Sequence, residues 1–243
     1  MPRDVNRGYV PTDRQEFDEE SLRALQAAQQ DIHYLLNHGY DLERSVTFVG
    51  NRFQFSARQR TALIRSTSFS AVLNRRRACQ ITGCVSGQPV YIDGFNLIIT
   101  LEAALSPETT LLRCMDNTVR DLCGLHGTYR IIEATGVALS WIGEALKEKQ
   151  VGQTVFYLDA PVSNSGKLRT AILEEMERQK LVCEVYLVPN ADAELWGKEN
   201  VVTSDSIILD RCHSWINLAC EIIEAKLPKR RIVDLSVKGA DKQ

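Results

Sequence analysis

Three aspartates each follow a short apolar run that is typical of a buried strand. The runs Pro-Val-Tyr-Ile, Thr-Val-Phe-Tyr-Leu and Val-Val-Thr-Ser come directly before Asp93, Asp159 and Asp205. Because helical segments separate these runs, we expect parallel strands, whose carboxyl ends share the edge of a sheet where ligands bind. Carboxylate oxygens gathered at such an edge suit Mg²⁺ or Mn²⁺. The pattern therefore predicts a metal site, with all three aspartates catalytic, and metal-assisted chemistry on phosphate.

Polar side chains accompany the first and the last of these aspartates. Asn96 follows Asp93 closely, with Gly94 between them, and its amide could hold a water molecule or a phosphate oxygen. The glycine lets the backbone approach a ligand. Ser204 precedes Asp205 and adds a hydroxyl group to a second metal corner. For both aspartates, an ordinary helix N-cap is the alternative interpretation.

A charged segment after the first strand supplies two more acids. Arg113, Asp116, Arg120 and Asp121 lie close together in the sequence. We expect Asp116 to cap a helix that carries Arg120 and Asp121. Both acids are candidate metal ligands, Asp121 is also a candidate catalytic carboxylate that positions water, and the two arginines would bind phosphate. A surface network of ion pairs, which contributes little to stability, is the alternative.

A histidine between two glycines forms a loop that leads into a long predicted helix. His126 could relay a proton or hydrogen-bond a phosphate. Arg130 comes near the start of that helix, where backbone N–H groups favour anions. A purely structural role for His126 stays open.

Small polar residues after Asp159 could form an anion cradle at a helix N-terminus. The candidate phosphate-binding residues are Ser163, Asn164, Ser165 and Lys167. The segment is not a P-loop, because the upstream glycine is absent and a leucine follows the lysine. A helix cap at Ser165 is the alternative.

The distribution of positive charge is uneven although the net charge is only −2. Every lysine lies at or after Lys147, and residues 44–77 contain eight arginines and no acid. A stretch of chain whose charges are all positive is typical of a surface that binds phosphate backbones. Its candidate phosphate contacts are Arg75, Arg76 and Arg77. The alternative is a solvated helix face followed by a basic linker.

Periodicity divides the 243 residues into two parts. Residues 1–78 predict a small all-α, arginine-rich N-terminal domain with helices over 22–36, 42–49, 56–64 and 69–76. A turn-rich stretch at 82–89 marks the boundary. Residues 79–243 alternate strands and helices, which predicts an α/β domain of three layers around a parallel sheet. Its further elements are expected as strands over 111–114, 182–188 and 231–235 and helices over 97–105, 130–147, 166–179 and 207–225.

Composition limits the cellular setting. The seven cysteines are odd in number and lack C-x-x-C spacing, so a disulfide framework is not expected. No apolar run approaches the roughly 18 residues of a membrane span. The polar N-terminus lacks the apolar core of a signal peptide. We therefore expect a cytoplasmic protein without a membrane partner.

The acidic corners resemble those of a known superfamily. The segments Ile-Asp93-Gly-Phe-Asn96 and Thr-Ser-Asp205 resemble the first and last acidic corners of the PIN-like superfamily, most closely its NYN branch. That resemblance implies a Rossmann-like parallel sheet in a three-layer PIN-like domain, with acids that bind Mg²⁺ or Mn²⁺ for RNA hydrolysis. It places Asp93, Asp159 and Asp205 in the metal cluster, with Asp116 or Asp121 as the acid from a helix.

The whole chain also resembles an uncharacterised prokaryotic family that joins a short helical domain to a PIN-like domain. The matching stretches are residues 36–40, 49–52, 91–96, 126–130, 161–166 and 204–212. Those at 126–130 and 161–166 are not general features of PIN-like proteins. The leading hypothesis is a metal-dependent nuclease, acting on RNA more than on DNA. The alternatives are a nucleic-acid-binding module that does not cut and an enzyme that binds a nucleotide or phospho-metabolite. Whether the chain forms a homodimer stays open.

Overall fold

The computed structural model describes residues 7–124 and 127–236. Numbered in chain order, the strands are β1 (Pro89–Asp93), β2 (Leu111–Arg113), β3 (Val119–Asp121), β4 (Gln153–Asp159), β5 (Cys183–Val188), β6 (Val201–Val202), β7 (Trp215–Ile216) and β8 (Val233–Asp234). Five of them form one sheet in the order β5-β4-β1-β6-β7, and every neighbouring pair is parallel. The other three form a smaller sheet in the order β3-β2-β8. The α/β class and the parallel sheet are therefore as predicted.

The five-stranded sheet is covered by helices on both faces, which explains its nearly continuous apolar strands. The helices of this part are α6 (Gly94–Leu105), α7 (Glu133–Glu148), α8 (Ser165–Arg178), α9 (Ala191–Leu195), α10 (Ser206–Leu209) and α11 (Leu218–Lys226). Ile92 and Phe156 share a core with residues of α6, α7, α8 and α11. Val155 and Tyr157 share another core with residues of α9 and α10. Alternate strand residues thus separate two helical layers, as expected.

The N-terminal part is helical, as the periodicity predicts. It contains α1 (Asp13–Glu16), α2 (Glu19–Asn37), α3 (Leu42–Arg52), α4 (Ala57–Ser66) and α5 (Ser70–Cys79). Asp18 and Asp41 cap α2 and α3 by accepting hydrogen bonds from backbone N–H groups. Ser56 begins α4 in a reciprocal capping box with Gln59. Within the residues described, no helix has both the length and the apolarity to cross a membrane.

The small sheet joins the helical part to the rest of the chain. Leu112, Leu122 and Val233, which lie in or beside this sheet, are buried in one core with residues of α2 and α4 such as Leu25 and Leu63. The N-terminal helices therefore complete their core with strands from the C-terminal two thirds of the chain.

The predicted helix through Arg120 and Asp121 is wrong. Both residues lie in β3, which pairs antiparallel with β2. Asn117 takes a positive φ of 63° in the turn, and the Asp116 side chain accepts a hydrogen bond from the Thr118 N–H at 3.1 Å. Asx residues favour such turns because their side chains bond the backbone two positions on. A hairpin therefore forms where the charged pattern indicated a helix.

Candidate active site

β1 and β6 are the neighbouring strands between which the strand order of the large sheet reverses. After β1, the chain adds β4 and β5 on one side and later crosses to add β6 and β7 on the other. Such a switch point leaves a crevice at the carboxyl ends of the strands. Asp93 is the last residue of β1, and Asp205 follows β6 closely. The fold therefore brings the first and last predicted acids to neighbouring strand ends.

One hydroxyl group connects these two acids. The Thr203 hydroxyl donates to Asp93 Oδ2 at 2.9 Å and accepts from the Asp205 N–H at 3.0 Å. Asp93 is only 6% exposed. Burial, together with the nearby charge of Asp205, raises the pKa of Asp93 to about 8. Asp192 contributes to the same effect, and burial with the charges of Asp205 and Asp159 raises its own pKa.

The two candidate helix caps differ in what their carboxylates do. Asp93 precedes α6 but its side chain makes no capping hydrogen bond. Asp205 does cap α10, since its Oδ1 accepts from the Ile207 N–H at 2.7 Å and the Ile208 N–H at 3.4 Å. In the part of the chain that the structure describes, Asp205 Oδ2 has no hydrogen-bond partner. Capping by Asp205 therefore leaves one oxygen available to a ligand.

Asn96 fixes the loop that carries Ser204 and Asp205. Its Oδ1 accepts from the Ser204 N–H at 2.9 Å and from the Ser204 hydroxyl at 2.8 Å. Its Nδ2 has no partner among the described residues, and Asn96 lines a cleft. Gly94 has a packing role, because a Cβ there would come within 2.5 Å of Leu158 Cδ2. The close backbone approach that Gly94 allows is therefore to Leu158 of β4 and not to a ligand.

The cleft beside Asp205 has a volume of about 400 Å³ and three walls. One wall belongs to the α/β part, with Asn96 and Ser204, and another to β3, with Arg120 and Asp121. The third is formed by Leu42, Ile64 and Arg65 of the helical part. In the sequence, Arg65 is one of the eight arginines of residues 44–77, and no neighbouring residue distinguishes it from the others.

Asp121 enters this cleft from the small sheet. Its Oδ2 accepts from the Thr100 hydroxyl at 2.9 Å, and its Oδ1 accepts from the Cys123 N–H at 2.7 Å. Arg65 Nη1 lies 3.8 Å from Asp121 Oδ1. The structure therefore places Asp121 and Asp205 at one cleft, although Asp121 comes from a strand rather than a helix.

Asp159 does not complete a cage of three carboxylates. Its Oδ1 accepts from the Ala191 N–H at 2.9 Å, so the side chain is directed to the start of α9. Within residues 7–124 and 127–236, no three His, Cys, Asp or Glu side chains are close enough together to hold a metal ion. This corrects the expected cluster of Asp93, Asp159 and Asp205. A site for Mg²⁺ requires fewer carboxylates than this, because that ion usually keeps several waters and is bound through one or two carboxylates.

Asp116 is neutralised by two arginines. Its Oδ2 accepts from Arg76 Nη1 at 2.7 Å and from Arg120 Nη2 at 2.6 Å. Although burial opposes it, the charges of Arg120 and Arg76 lower the pKa of Asp116. Its other oxygen accepts from Thr118. The structure thus places Asp116 in a buried ion-pair network rather than at the predicted metal site.

Arg76 is the centre of this network and is almost completely buried. Its remaining donors bind both carboxylate oxygens of Asp210, the Ser68 hydroxyl and the Ser206 carbonyl. All five guanidinium N–H groups therefore have partners. The expectation that Arg76 contacts phosphate is corrected, because it instead holds α5 against α10, the helix that begins after Asp205.

The other predicted phosphate contacts are dispersed. Arg75 donates to the carbonyls of Leu209 and Cys212, while Arg77 and Lys167 are exposed. Arg113 pairs with Glu224 at 2.7 Å and is directed at α11, away from the cleft lining. Arg130 is exposed, and its carbonyl accepts from Arg7 at 2.7 Å.

The segments around residues 127–130 and 161–166, which are not general features of PIN-like proteins, contact each other. The Ser163 N–H donates to the Gly127 carbonyl at 3.0 Å, and Asn164 Nδ2 donates to the Tyr129 carbonyl at 2.7 Å. Asn164 has a φ of 65°, and no side-chain cap begins α8. Ser165, the first residue of α8, is buried. His126 lies outside the described residues.

This loop pair supports the cleft from behind. The Tyr129 ring packs edge-on against Phe95 at 5.3 Å between centroids, and Phe95 lines the cleft. The Tyr129 hydroxyl donates to the buried Glu102 at 2.6 Å. The two segments therefore lie one residue layer behind the candidate site.

The fold and this edge define the class: an α/β protein with carboxylates at the switch point of a parallel sheet, joined to a helical N-terminal part. The chain belongs to the family described as "Domain of unknown function (DUF5616)", whose model matches residues 83–221. Residues 24–78 match a second family, "Protein of unknown function (DUF434)". The chain is similar to "Uncharacterized protein MJ0935" of Methanocaldococcus jannaschii, with 37% identity over 204 residues, or 83% of this chain and 97% of the relative. No solved structure matches it.

These matches confirm the resemblance of the chain to an uncharacterised family. They leave the PIN-like likeness as a prediction.

Proposed function

We propose that this protein is a metal-dependent nuclease with a PIN-like α/β domain, which hydrolyses phosphodiester bonds in RNA more than in DNA. The observation that carries the proposal is the meeting of Asp93 and Asp205 at the switch point, joined by the Thr203 hydroxyl. The preference for RNA comes from the likeness of both acidic corners to the NYN branch.

The chemistry follows from two carboxylates at neighbouring strand ends. Burial, together with the charge of Asp205, raises the pKa of Asp93, so a divalent cation would stabilise the ionised pair. A bound Mg²⁺ or Mn²⁺ would supply a water of lowered pKa and neutralise charge on phosphate. Asp205 would hold it through the oxygen not used in capping, and Asn96 Nδ2 could orient a phosphate oxygen.

Arginine and acid meet on the opposite wall of the cleft. Arg65 is partly exposed, and its guanidinium donates to the carbonyls of Asp121 at 2.6 Å and Cys123 at 3.5 Å. Its remaining N–H groups could contact a phosphate while Asp121 orients a water molecule. Among the residues that the structure describes, the charged residues of the cleft lining are two acids, Asp121 and Asp205, and two arginines, Arg65 and Arg120. The proposed metal would offset the two carboxylates and leave the arginines to bind a phosphate chain.

A cleavage panel tests the proposal. Labelled single-stranded RNA and DNA are incubated with the protein in Mg²⁺, Mn²⁺ or EDTA, beside Asp93→Asn. The matched control is Asp18→Asn, since Asp18 is an exposed cap of α2 and asparagine caps a helix equally well. We expect metal-dependent cleavage that falls by more than about 100-fold only in Asp93→Asn, beyond the range for a supporting residue. Wild-type rates for Asp93→Asn would overturn the assignment.

A nucleic-acid-binding module that does not cut is the second candidate. The engagement of Asp159 with the Ala191 N–H favours it, because this leaves two carboxylates at the switch point. That module would bind RNA with strong salt dependence and show no hydrolysis in any arm of the panel.

A further inference from the structure

A second cavity adjoins the cleft and is larger, with a volume of about 640 Å³. It lies between the α2–α3 loop, the α4–α5 connection and α10. Leu42, Ile64, Arg120 and Ser206 line both spaces. The cavity and the cleft are therefore neighbours that share part of their walls.

The lining of this cavity combines aromatic and aliphatic side chains. Tyr40 and Phe69 line it while remaining 63% and 42% exposed, and Leu36 and Val72 add apolar surface. Its size falls in the range of about 300–1,000 Å³ that is typical of small-molecule sites. Exposed rings beside an apolar cavity are suited to stack a planar group.

Arg120 supplies hydrogen-bond donors beside the apolar lining of the cavity. Arg120 uses Nε for Thr118, one Nη1 hydrogen for the Arg65 carbonyl and one Nη2 hydrogen for Asp116. Each Nη atom has a second N–H, and neither has a partner among the residues described. Arg76 and Asp210 also line the cavity but are paired with each other. The second N–H groups of Arg120 are therefore the donors that a ligand with an acceptor oxygen could use.

We propose that this cavity is a binding subsite for an unpaired nucleobase of a single strand whose neighbouring phosphate lies in the cleft. The inference rests on the proposed function, because it takes the cleft as the place of the phosphodiester chain. Bases stack on aromatic side chains without regard to sequence. In a duplex the bases are already stacked and cannot enter such a cavity without being flipped out. The expected ligand is therefore single-stranded nucleic acid, recognised partly by the helical part.

Binding in EDTA tests the subsite separately from cleavage. The anisotropy of a labelled single-stranded RNA is measured with Tyr40→Ala, Phe69→Ala and the ring-preserving Tyr40→Phe. The control is Phe48→Ala, since Phe48 is 73% exposed on α3 and does not line the cavity. We expect Tyr40→Ala and Phe69→Ala each to weaken binding roughly 5- to 150-fold, the range for stacking of one base. Tyr40→Phe and Phe48→Ala should bind about as tightly as wild type.

Matched nucleic acids identify what enters the cavity. A strand with one abasic position should reproduce the loss, and the abasic change should add little further loss in Tyr40→Ala. A duplex of equal length should bind equally to wild type and Tyr40→Ala. A free mononucleotide that binds as tightly as the strand would contradict the proposal by assigning the cavity to a nucleotide ligand.

The two hypotheses fail in different ways. Equal binding of the strand by wild type, Tyr40→Ala and Phe69→Ala, with unchanged melting curves, would overturn the subsite even if the protein cuts RNA. Ring-dependent binding without cleavage in any metal would support the subsite and remove the nuclease.

Discussion

The Thr203 hydroxyl donates to the Asp93 carboxylate at 2.9 Å and accepts from the Asp205 N–H at 3.0 Å, so Asp93 and Asp205 lie beside each other. Burial and the charge of Asp205 raise the pKa of Asp93. The two residues come from opposite halves of the chain and meet because β1 and β6 are neighbours in the sheet. Like charges held together in a folded protein cost stability unless a proton or a cation separates them. The same relationship therefore makes predictions about stability, metal binding and cleavage.

Stability should fall as the pH rises, in part because of Asp93. Its folded pKa of about 8 lies above the ordinary value of an unfolded aspartate, so the folded state binds more protons between about pH 4 and pH 8. The sign of the linkage is then a loss of stability with rising pH, at most about 1.4 kcal/mol per pH unit for one proton. Urea unfolding across this window should show a flatter profile for Asp93→Asn. Identical slopes in both proteins would contradict the assigned pKa.

Asp205→Asn should separate capping from chemistry. Asparagine caps helices as well as aspartate, so α10 should keep its start and the unfolding free energy should change by less than about 0.5 kcal/mol. The lost charge should reduce metal-dependent cleavage by more than about 100-fold, beyond the cost of removing a supporting residue. Single-turnover rates beside urea melts measure both effects. Cleavage at the wild-type rate would show that Asp205 serves only as a cap.

Arg76→Met should destabilise the fold. Its side chain is buried and binds Asp116 and Asp210, so removal leaves a buried carboxylate short of a partner. Breaking a buried ion pair typically costs about 3–5 kcal/mol. Arg77→Met is the control, since Arg77 is exposed on the same helix and should change stability by less than about 0.5 kcal/mol. Equal urea midpoints for the two variants would contradict the network.

Gly94→Ala should also destabilise the protein. The added Cβ would meet Leu158 Cδ2 at 2.5 Å and the Tyr157 carbonyl oxygen at 3.1 Å. Overpacking of this kind costs about 1–3 kcal/mol. At Gly166, inside α8, a Cβ would meet nothing within 4 Å, so Gly166→Ala should be neutral or slightly stabilising. Calorimetric melts of both variants compare them, and similar melting temperatures would argue against close packing of α6 on β4.

Local patterns predicted the strands that end near the three aspartates and the helices α2 to α5. Apolar runs and capping residues act over a few positions, so they can be recognised from sequence. The hairpin through Asp116 could not be distinguished from a helix, because β2 and β3 are short and Asx residues also cap helices. The N-terminal helices share their core with residues in or beside β2, β3 and β8. Local patterns could not predict this, because it depends on contacts between segments that are distant in the sequence.

The candidate site was predicted by residue type but not by side-chain direction. Asp159 has the same strand-end position as Asp93, and only the packing of α9 directs its carboxylate to the Ala191 N–H. Arg65, Arg76 and Arg77 look alike in sequence, yet the structure places one at the cleft, one in a buried network and one in solvent. Tertiary packing decides such roles, so a charge pattern alone cannot separate them.

Manganese binding tests the central claim most directly. Calorimetric titration of Mn²⁺ should show one site in the wild-type protein that is lost in Asp93→Asn and in Asp205→Asn. Asp159→Asn should bind Mn²⁺ as the wild type does, because the Asp159 carboxylate is directed to α9. Undiminished binding by Asp93→Asn, or no binding by the wild type, would contradict a cation shared between Asp93 and Asp205.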